Sequence, residues 1–251
     1  MKLDTTAAIV TGGASGLGEA TARHFAAEGA QVTLLDRDAE RGEAVAREIG
    51  GHFIATDVTD EGSVQAAVDF AVERMGRITA AVNCAGIALG IKTTGRDGPH
   101  PLDAFQRTVD INLVGSFNVA RLAAVAMARN DAEPDGARGV IINTASIAAF
   151  DGQKGQAAYA ASKGGIVGMT LPMARDLAKD GIRVMTIAPG IFKTPMLAGL
   201  PDEVQAELAK DVPNPARLGE PSEYGRLAGF IVEMGYLNGE VIRLDGALRM
   251  R

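Results

Sequence analysis

Apolar residues recur along this chain with two periods, and the two alternate. Short apolar runs stand at 7–10 (AAIV), 32–36 (VTLLD), 52–57 (HFIATD), 80–86 (AAVNCAG), 139–146 (GVIINTAS), 182–190 (IRVMTIAPG) and 240–246 (EVIRLDG). Each is bounded by Gly, Asp, Asn or Pro, as buried strands are. Longer stretches with helical spacing lie between them. The clearest covers 63–75, where Val64, Ala67, Val68, Ala71, Val72 and Met75 share one face, with Asp60 placed to cap it and Gly76 to stop it. Strand and helix alternating in this way predict an α/β fold: a doubly wound, parallel, seven-stranded sheet with helices on both faces. The rhythm persists from 7 to 246 without a linker, so one domain is expected over 1–251. Two stretches fit neither period, 90–103 and 190–221. Long irregular segments in a compact domain are usually functional, and we expect an inserted loop and a substrate lid.

Composition narrows the function. The 251 residues are 47% hydrophobic, with 31 glycines and a net charge of −6. The 25 Lys and Arg are scattered, with no basic stripe for nucleic acid. The single cysteine, Cys84, excludes an internal disulfide and a multi-cysteine metal site, and His24, His52 and His100 stand too far apart for a zinc motif. No run of eighteen uninterrupted apolar residues occurs, so no membrane span is expected. The N-terminus runs straight into its first apolar segment, which predicts no signal peptide and a cytoplasmic protein.

Candidate chemistry gathers at the carboxyl ends of the predicted strands. TGGASGLGEA follows the first strand and opens the first helix, with Gly12 free to turn, Gly16 free to let the backbone approach a diphosphate, and Gly18 letting the helix lie close to the sheet. Asp36 ends the second strand eighteen positions after Gly18, the distance at which an acid bonds the adenosine ribose. A carboxylate there repels the 2′-phosphate of NADP, and Ala14 and Ser15 offer no cation to it, so NAD is expected; neighbouring Arg37 is of a type that can reach a phosphate. Tyr159 and Lys163 are one helical turn apart. A phenol of pKa about 10 is too weak a base at neutral pH. Lowering it by about three units needs roughly 4 kcal/mol, which calls for two cations and little water. We expect Lys163 to be one and an oxidised nicotinamide the other. Ser146 ends the GVIINTAS strand and can bond the same substrate oxygen. Tyr and Lys at this spacing are common on helices; their place at the strand edge that carries Gly12, Asp36, Asn83 and Pro189 gives them a chemical reading. In the following helical turns, Pro172 should remove one backbone hydrogen bond and bend the helix.

These motifs, in this order, resemble the short-chain dehydrogenase/reductase family over essentially the whole chain. The resemblance implies a Rossmann-type fold and an Asn-Ser-Tyr-Lys set of Asn112, Ser146, Tyr159 and Lys163. Tyr159 would be the acid/base, Lys163 would lower its pKa and bond the nicotinamide ribose, Ser146 would orient the substrate oxygen, and Asn112 would hold a water in the proton relay. It implies cofactor contacts from the loop residues Gly12, Ser15, Gly16, Leu17 and Gly18, and from Asp36. Asp57 and Val58 would meet the adenine. The NCAG segment would contribute Cys84, Ala85 and Gly86, with Cys84 standing where the family has Asn. Phe192 and Thr194, in APGIFKTPM, would meet the nicotinamide amide. A closer likeness is to the family's NAD-dependent 3-hydroxyacyl-CoA dehydrogenases, which are homotetramers; it implies Gln153 as a second substrate contact, and the C-terminal LDGA agrees with that group. Lys92 and Arg96 in the inserted loop are candidates for CoA phosphates. The alternatives are a hydroxysteroid or other secondary-alcohol dehydrogenase with the same site, and a non-enzymatic NAD-binding scaffold, against which the intact Ser-Tyr-Lys set speaks.

Overall fold

The structure is a computed structural model and describes residues 1–96, 98–198 and 202–250. Strand β1 (Ala7–Thr11) passes through the glycine loop into helix α1 (Gly16–Ala27). β2 (Gln31–Asp36), α2 (Ala39–Ile49), β3 (His52–Ala55), α3 (Glu61–Met75) and β4 (Ala80–Asn83) follow. The inserted loop carries a small antiparallel hairpin, β5 (Thr94–Gly95) with β6 (Gly98–Pro99). Helix α4 (Leu102–Val109) then runs through a π-helical turn, Asp110–Val114, into α5 (Gly115–Met127). After β7 (Gly139–Thr144) come α6 (Ala148–Asp151), α7 (Ala157–Asp176), β8 (Ile182–Pro189), α8 (Pro195–Ala198), α9 (Asp202–Lys210), α10 (Pro221–Glu233) and β9 (Val241–Leu244).

The main sheet has the order β3-β2-β1-β4-β7-β8-β9, parallel at every pairing. Its core splits by the two-residue period of the strands. Ala8 and Val10 of β1 join Val140 and Ile142 of β7 on the face covered by α1 and α10. Ala7, Ile9 and Ile141 point to the other face, under α3, α5 and α7. Ile9 and Ile141 are fully buried, and burying each such side chain contributes about 1.5–3 kcal/mol. Truncating Ile141 to Ala would add a cavity and cost about 2–5 kcal/mol. The stretch Leu102–Met127 is long and apolar enough to cross a membrane by length and composition. Here its inner face packs Val119, Ala120, Ala123 and Met127 into this second core layer.

Local signals act as their chemistry dictates. Asp60 caps α3 by accepting from the Ser63 amide, and Gly76 stops it in the left-handed region. Helix α7 continues through Pro172 to Asp176. The segment 190–221 is partly helical, because α8 and α9 fall inside it; its residues 199–201 lie outside the described residues, as does Asp97 of the inserted loop. Since every strand of the main sheet points the same way, the loops after β1, β2, β4, β7 and β8 meet at one edge. Between β1 and β4 the strand order reverses, and a crevice opens there.

Candidate active site

A cavity of about 650 Å³ lies at this edge. Of the residues singled out from sequence, Gly12, Ser15, Gly16, Leu17, Gly18, Asp36, Asp57, Val58, Cys84, Ala85, Gly86, Ser146, Gln153, Tyr159, Lys163, Phe192 and Thr194 all line it. Asn112 does not.

The floor is a cradle that tolerates almost no added carbon. Gly12 has φ +64, and a Cβ there would stand 2.9 Å from the Ala85 amide nitrogen. A Cβ on Gly18 would stand 2.2 Å from the Gly12 carbonyl oxygen. The turn is fixed from outside, where the Gly12 amide donates to the Leu35 carbonyl at 2.9 Å. The amino end of α1 opens onto the cavity, and the side chain of Ser15 does not cap it. Backbone amides, a positive helix end and close backbone approach fit a diphosphate. At the carboxyl end of β2, Asp36 accepts from the Ala14 amide at 3.0 Å and the Asp38 amide at 3.1 Å. It therefore braces the glycine loop as well as facing the cavity. Arg37 leans toward Asp57, with 4.0 Å between Nε and Oδ2. Asp57 accepts from both the amide and the hydroxyl of Thr59, and these bonds hold its carboxyl below the ordinary range. Both strand-end acids are thus held in place by backbone and hydroxyl donors. The residues present fit an adenine dinucleotide.

At the other end the chemical groups come from β7 and α7. Ser146 lies two residues past the end of β7, where its Oγ accepts from the Ala148 amide at 3.1 Å. Its side chain lies within interaction reach of the Tyr159 phenol. Burial pushes that phenol above its ordinary pKa, and the neighbouring Ser146 side chain pulls it back in part. Lys163 is buried, with its Nζ donating to the Thr144 carbonyl at 2.7 Å and lying 5.7 Å from the centre of the Tyr159 ring. Burial drives its own pKa from 10.5 to about 8, which leaves it mostly protonated at neutral pH. The ammonium is anchored to a carbonyl beside the ring, and without a second cation burial keeps the phenol above its ordinary pKa.

Asn112 is fully buried in the π-helical turn. Its Nδ2 donates to the Ile87 carbonyl at 2.9 Å and to Ser162 Oγ at 3.0 Å, while its Oδ1 accepts from the Ile87 amide at 2.8 Å. Ser162 in turn donates to the Tyr159 carbonyl at 2.7 Å. Both amide donors are engaged by protein, so the side chain ties the end of the NCAG segment to the helix that carries Tyr159. A π turn lets one residue of a long helix project in this way.

Several contributors escaped the sequence reading. Thr11 Oγ1 accepts from the amides of both Cys84 and Ala85, at 3.1 Å each, and so shapes the NCAG turn. Its place just before the glycine loop was the available signal. Tyr224 on α10 is fully buried, with its hydroxyl 2.6 Å from Thr144 Oγ1 and 3.8 Å from the Cys84 sulfur. The thiol of Cys84 is itself pushed up by burial. Neither Lys92 nor Arg96 lines the cavity; Arg107 of α4 does.

Such a site, at the reversal point of a parallel sheet and with serine, tyrosine and lysine in the same cavity as a glycine cradle, fits a dinucleotide-dependent oxidoreductase. A sequence model of the short chain dehydrogenase family matches residues 6–205, and the chain belongs to that family. It is 57% identical over 248 residues to the rat 3-hydroxyacyl-CoA dehydrogenase type-2, covering 97% of this chain and 95% of that one. The Drosophila melanogaster protein of the same name is 56% identical over 246 residues, covering 96% of each chain. The crystal structure of 3-hydroxyacyl-CoA dehydrogenase type-2 from Mycobacterium avium superposes with a TM-score of 0.93 at 46% identity, covering 98% of this chain and 96% of that one. The protein is an oxidoreductase that uses a nicotinamide cofactor.

Proposed function

We propose that the protein interconverts 3-hydroxyacyl-CoA and 3-oxoacyl-CoA with NAD, acting in the cytoplasm as a homotetramer. One observation carries the chemistry: Ser146, Tyr159 and Lys163 line one cavity together with the glycine cradle, with the Lys163 ammonium 5.7 Å from the Tyr159 ring centre. The relatives' names support the substrate, and the Asp36 carboxylate at the ribose end supports NAD over NADP.

When bound, oxidised nicotinamide supplies the hydride acceptor and a positive charge near the phenol. The chain's own residues do the rest. Ser146 and Tyr159 converge on the C3 hydroxyl of the substrate. Lys163 keeps a cation beside the ring, held by Thr144, so the phenolate is favoured once a second positive charge adjoins it. Tyr159 takes the hydroxyl proton as hydride leaves C3, and Ser146 donates to the same oxygen in its carbonyl form. In the reverse direction Tyr159 returns the proton to the oxygen. Asn112 keeps the helix of Tyr159 in register with the NCAG turn.

The tetramer reading is supported by exposed apolar side chains on two faces. Val114, Phe117 and Val125 lie along the π turn and α5, with Leu171 on α7; Phe230 and Met234 lie at the end of α10, close to Tyr236. Patches of this kind mark protein contacts. Sedimentation should give the mass of four chains, and the mass of one chain would refute the assembly. The function is tested by offering NAD with 3-hydroxyacyl-CoA thioesters, hydroxysteroids and simple secondary alcohols and following NADH. Preference for the thioesters is expected. Turnover of steroids or alcohols alone would overturn the substrate, and binding of NAD without turnover of any substrate would overturn the enzyme.

A further inference from the structure

The far end of the chain closes back on the cavity. Arg243 of β9 is the hub: it donates to Asp151 at 2.6 Å, to Asp245 at 2.7 Å and to the Leu248 carbonyl at 3.0 Å. Its guanidinium also lies over the Phe150 ring at 5.1 Å. Asp245 receives a second guanidinium, Arg249, at 3.1 Å. Ala247 turns the chain with φ +68, a conformation a non-glycine residue adopts only when its surroundings impose it. The Asp245 side chain and carbonyl impose it here, accepting from the amides of Ala247 and Leu248. Leu248 is thereby buried against Ile147, the residue after Ser146, and against Val212. Met250 packs on the same cluster and lines the cavity together with Ile147, Ile191, Leu197 and Leu208.

Asp151 belongs to the helix that follows Ser146, so one guanidinium ties the catalytic segment and the tail to each other. We propose that Met250 is a specificity-determining residue, and that the tail held by Arg243 forms the wall limiting the length of the substrate's acyl chain. This rests on the acyl-thioester reading of the site. A thioether on an unbranched side chain suits the role, because it adapts to chains of different length without polar demands. Its position past the last strand leaves it free to vary without disturbing the core.

The test is kcat/KM for straight-chain 3-hydroxyacyl-CoA thioesters of increasing length, and for secondary alcohols of matching length, with the wild type, Met250→Ala and Met250→Trp. Shortening the side chain should raise the ratio of long-chain to short-chain kcat/KM about tenfold, and enlarging it should lower that ratio by a similar factor, as a few methylene groups in an apolar pocket allow. Ratios unchanged in both variants, whatever the change in overall rate, would overturn the wall. Failure of the acyl-thioester reading has its own signature. The wild type would then turn over alcohols and no thioester, and this proposal would fall with that reading.

Discussion

Replacing Lys163 by Met should make the protein at once more stable and inactive. The ammonium is buried, and its pKa falls from 10.5 to about 8 for that reason. The fall from 10.5 to about 8 corresponds to roughly 3 kcal/mol that the folded state loses by holding the charge. The sign follows from proton binding. Below about pH 8 both folded and unfolded chains are protonated and the penalty is complete; between about 8 and 10.5 the unfolded chain binds more protons, so stability rises with pH. Methionine keeps most of the volume but leaves the Thr144 carbonyl without its donor, a loss of about 1–2 kcal/mol. The variant should therefore gain about 1–2 kcal/mol at neutral pH. For a chain of this size that raises Tm by roughly 2–8 °C. By about pH 9.5 the wild type recovers roughly 2 kcal/mol, and the gap closes. Denaturant titrations of both proteins at the two pH values, with NADH turnover alongside, make the comparison. A variant less stable than the wild type at neutral pH, or a gap that does not change with pH, would refute the reasoning.

Three further outcomes follow from the geometry. Gly18→Ala drives a methyl group into the Gly12 carbonyl oxygen, 2.2 Å from where it would stand; we expect a loss of about 1–3 kcal/mol by thermal unfolding and at least a tenfold loss of NADH affinity by fluorescence titration. Asp36→Ala removes the carboxylate that opposes a 2′-phosphate, and the NADP to NAD ratio of kcat/KM should rise by roughly a hundredfold; an unchanged ratio would remove Asp36 from cofactor choice. Tyr224→Phe deletes a hydroxyl buried 2.6 Å from Thr144 Oγ1 and should cost about 1–2 kcal/mol in denaturant unfolding, so an unchanged midpoint would count against that bond.

The seven strands were legible because a parallel sheet buried on both faces demands continuous apolar runs, as in GVIINT. Their ends were read too long. The runs at 52–57 and 80–86 leave the sheet at Ala55 and Asn83, because Asp57 and the NCAG turn bend toward the cavity, where strand pairing ends. The glycine cradle was equally readable, since Gly12 and Gly18 each serve a backbone geometry that few other residues permit. What stayed hidden depends on contacts distant along the chain. Neither the saturation of Asn112 by Ile87 and Ser162 nor the anchoring of Lys163 on Thr144 leaves a periodic trace. Met250 gives no local signal either, as its place is set by Arg243 and Asp151, 92 positions apart. For Tyr159, spacing reveals a neighbouring cation but not the desolvation that opposes the phenolate.

The central claim is that the Tyr159 hydroxyl carries the substrate's proton. Steady-state oxidation of a 3-hydroxyacyl-CoA by Tyr159→Phe, with NADH affinity measured on the same preparation, tests it most directly. We predict that kcat falls on the order of a thousandfold while NADH binds within about twofold of the wild type. Turnover that survives the loss of that single oxygen would contradict the account.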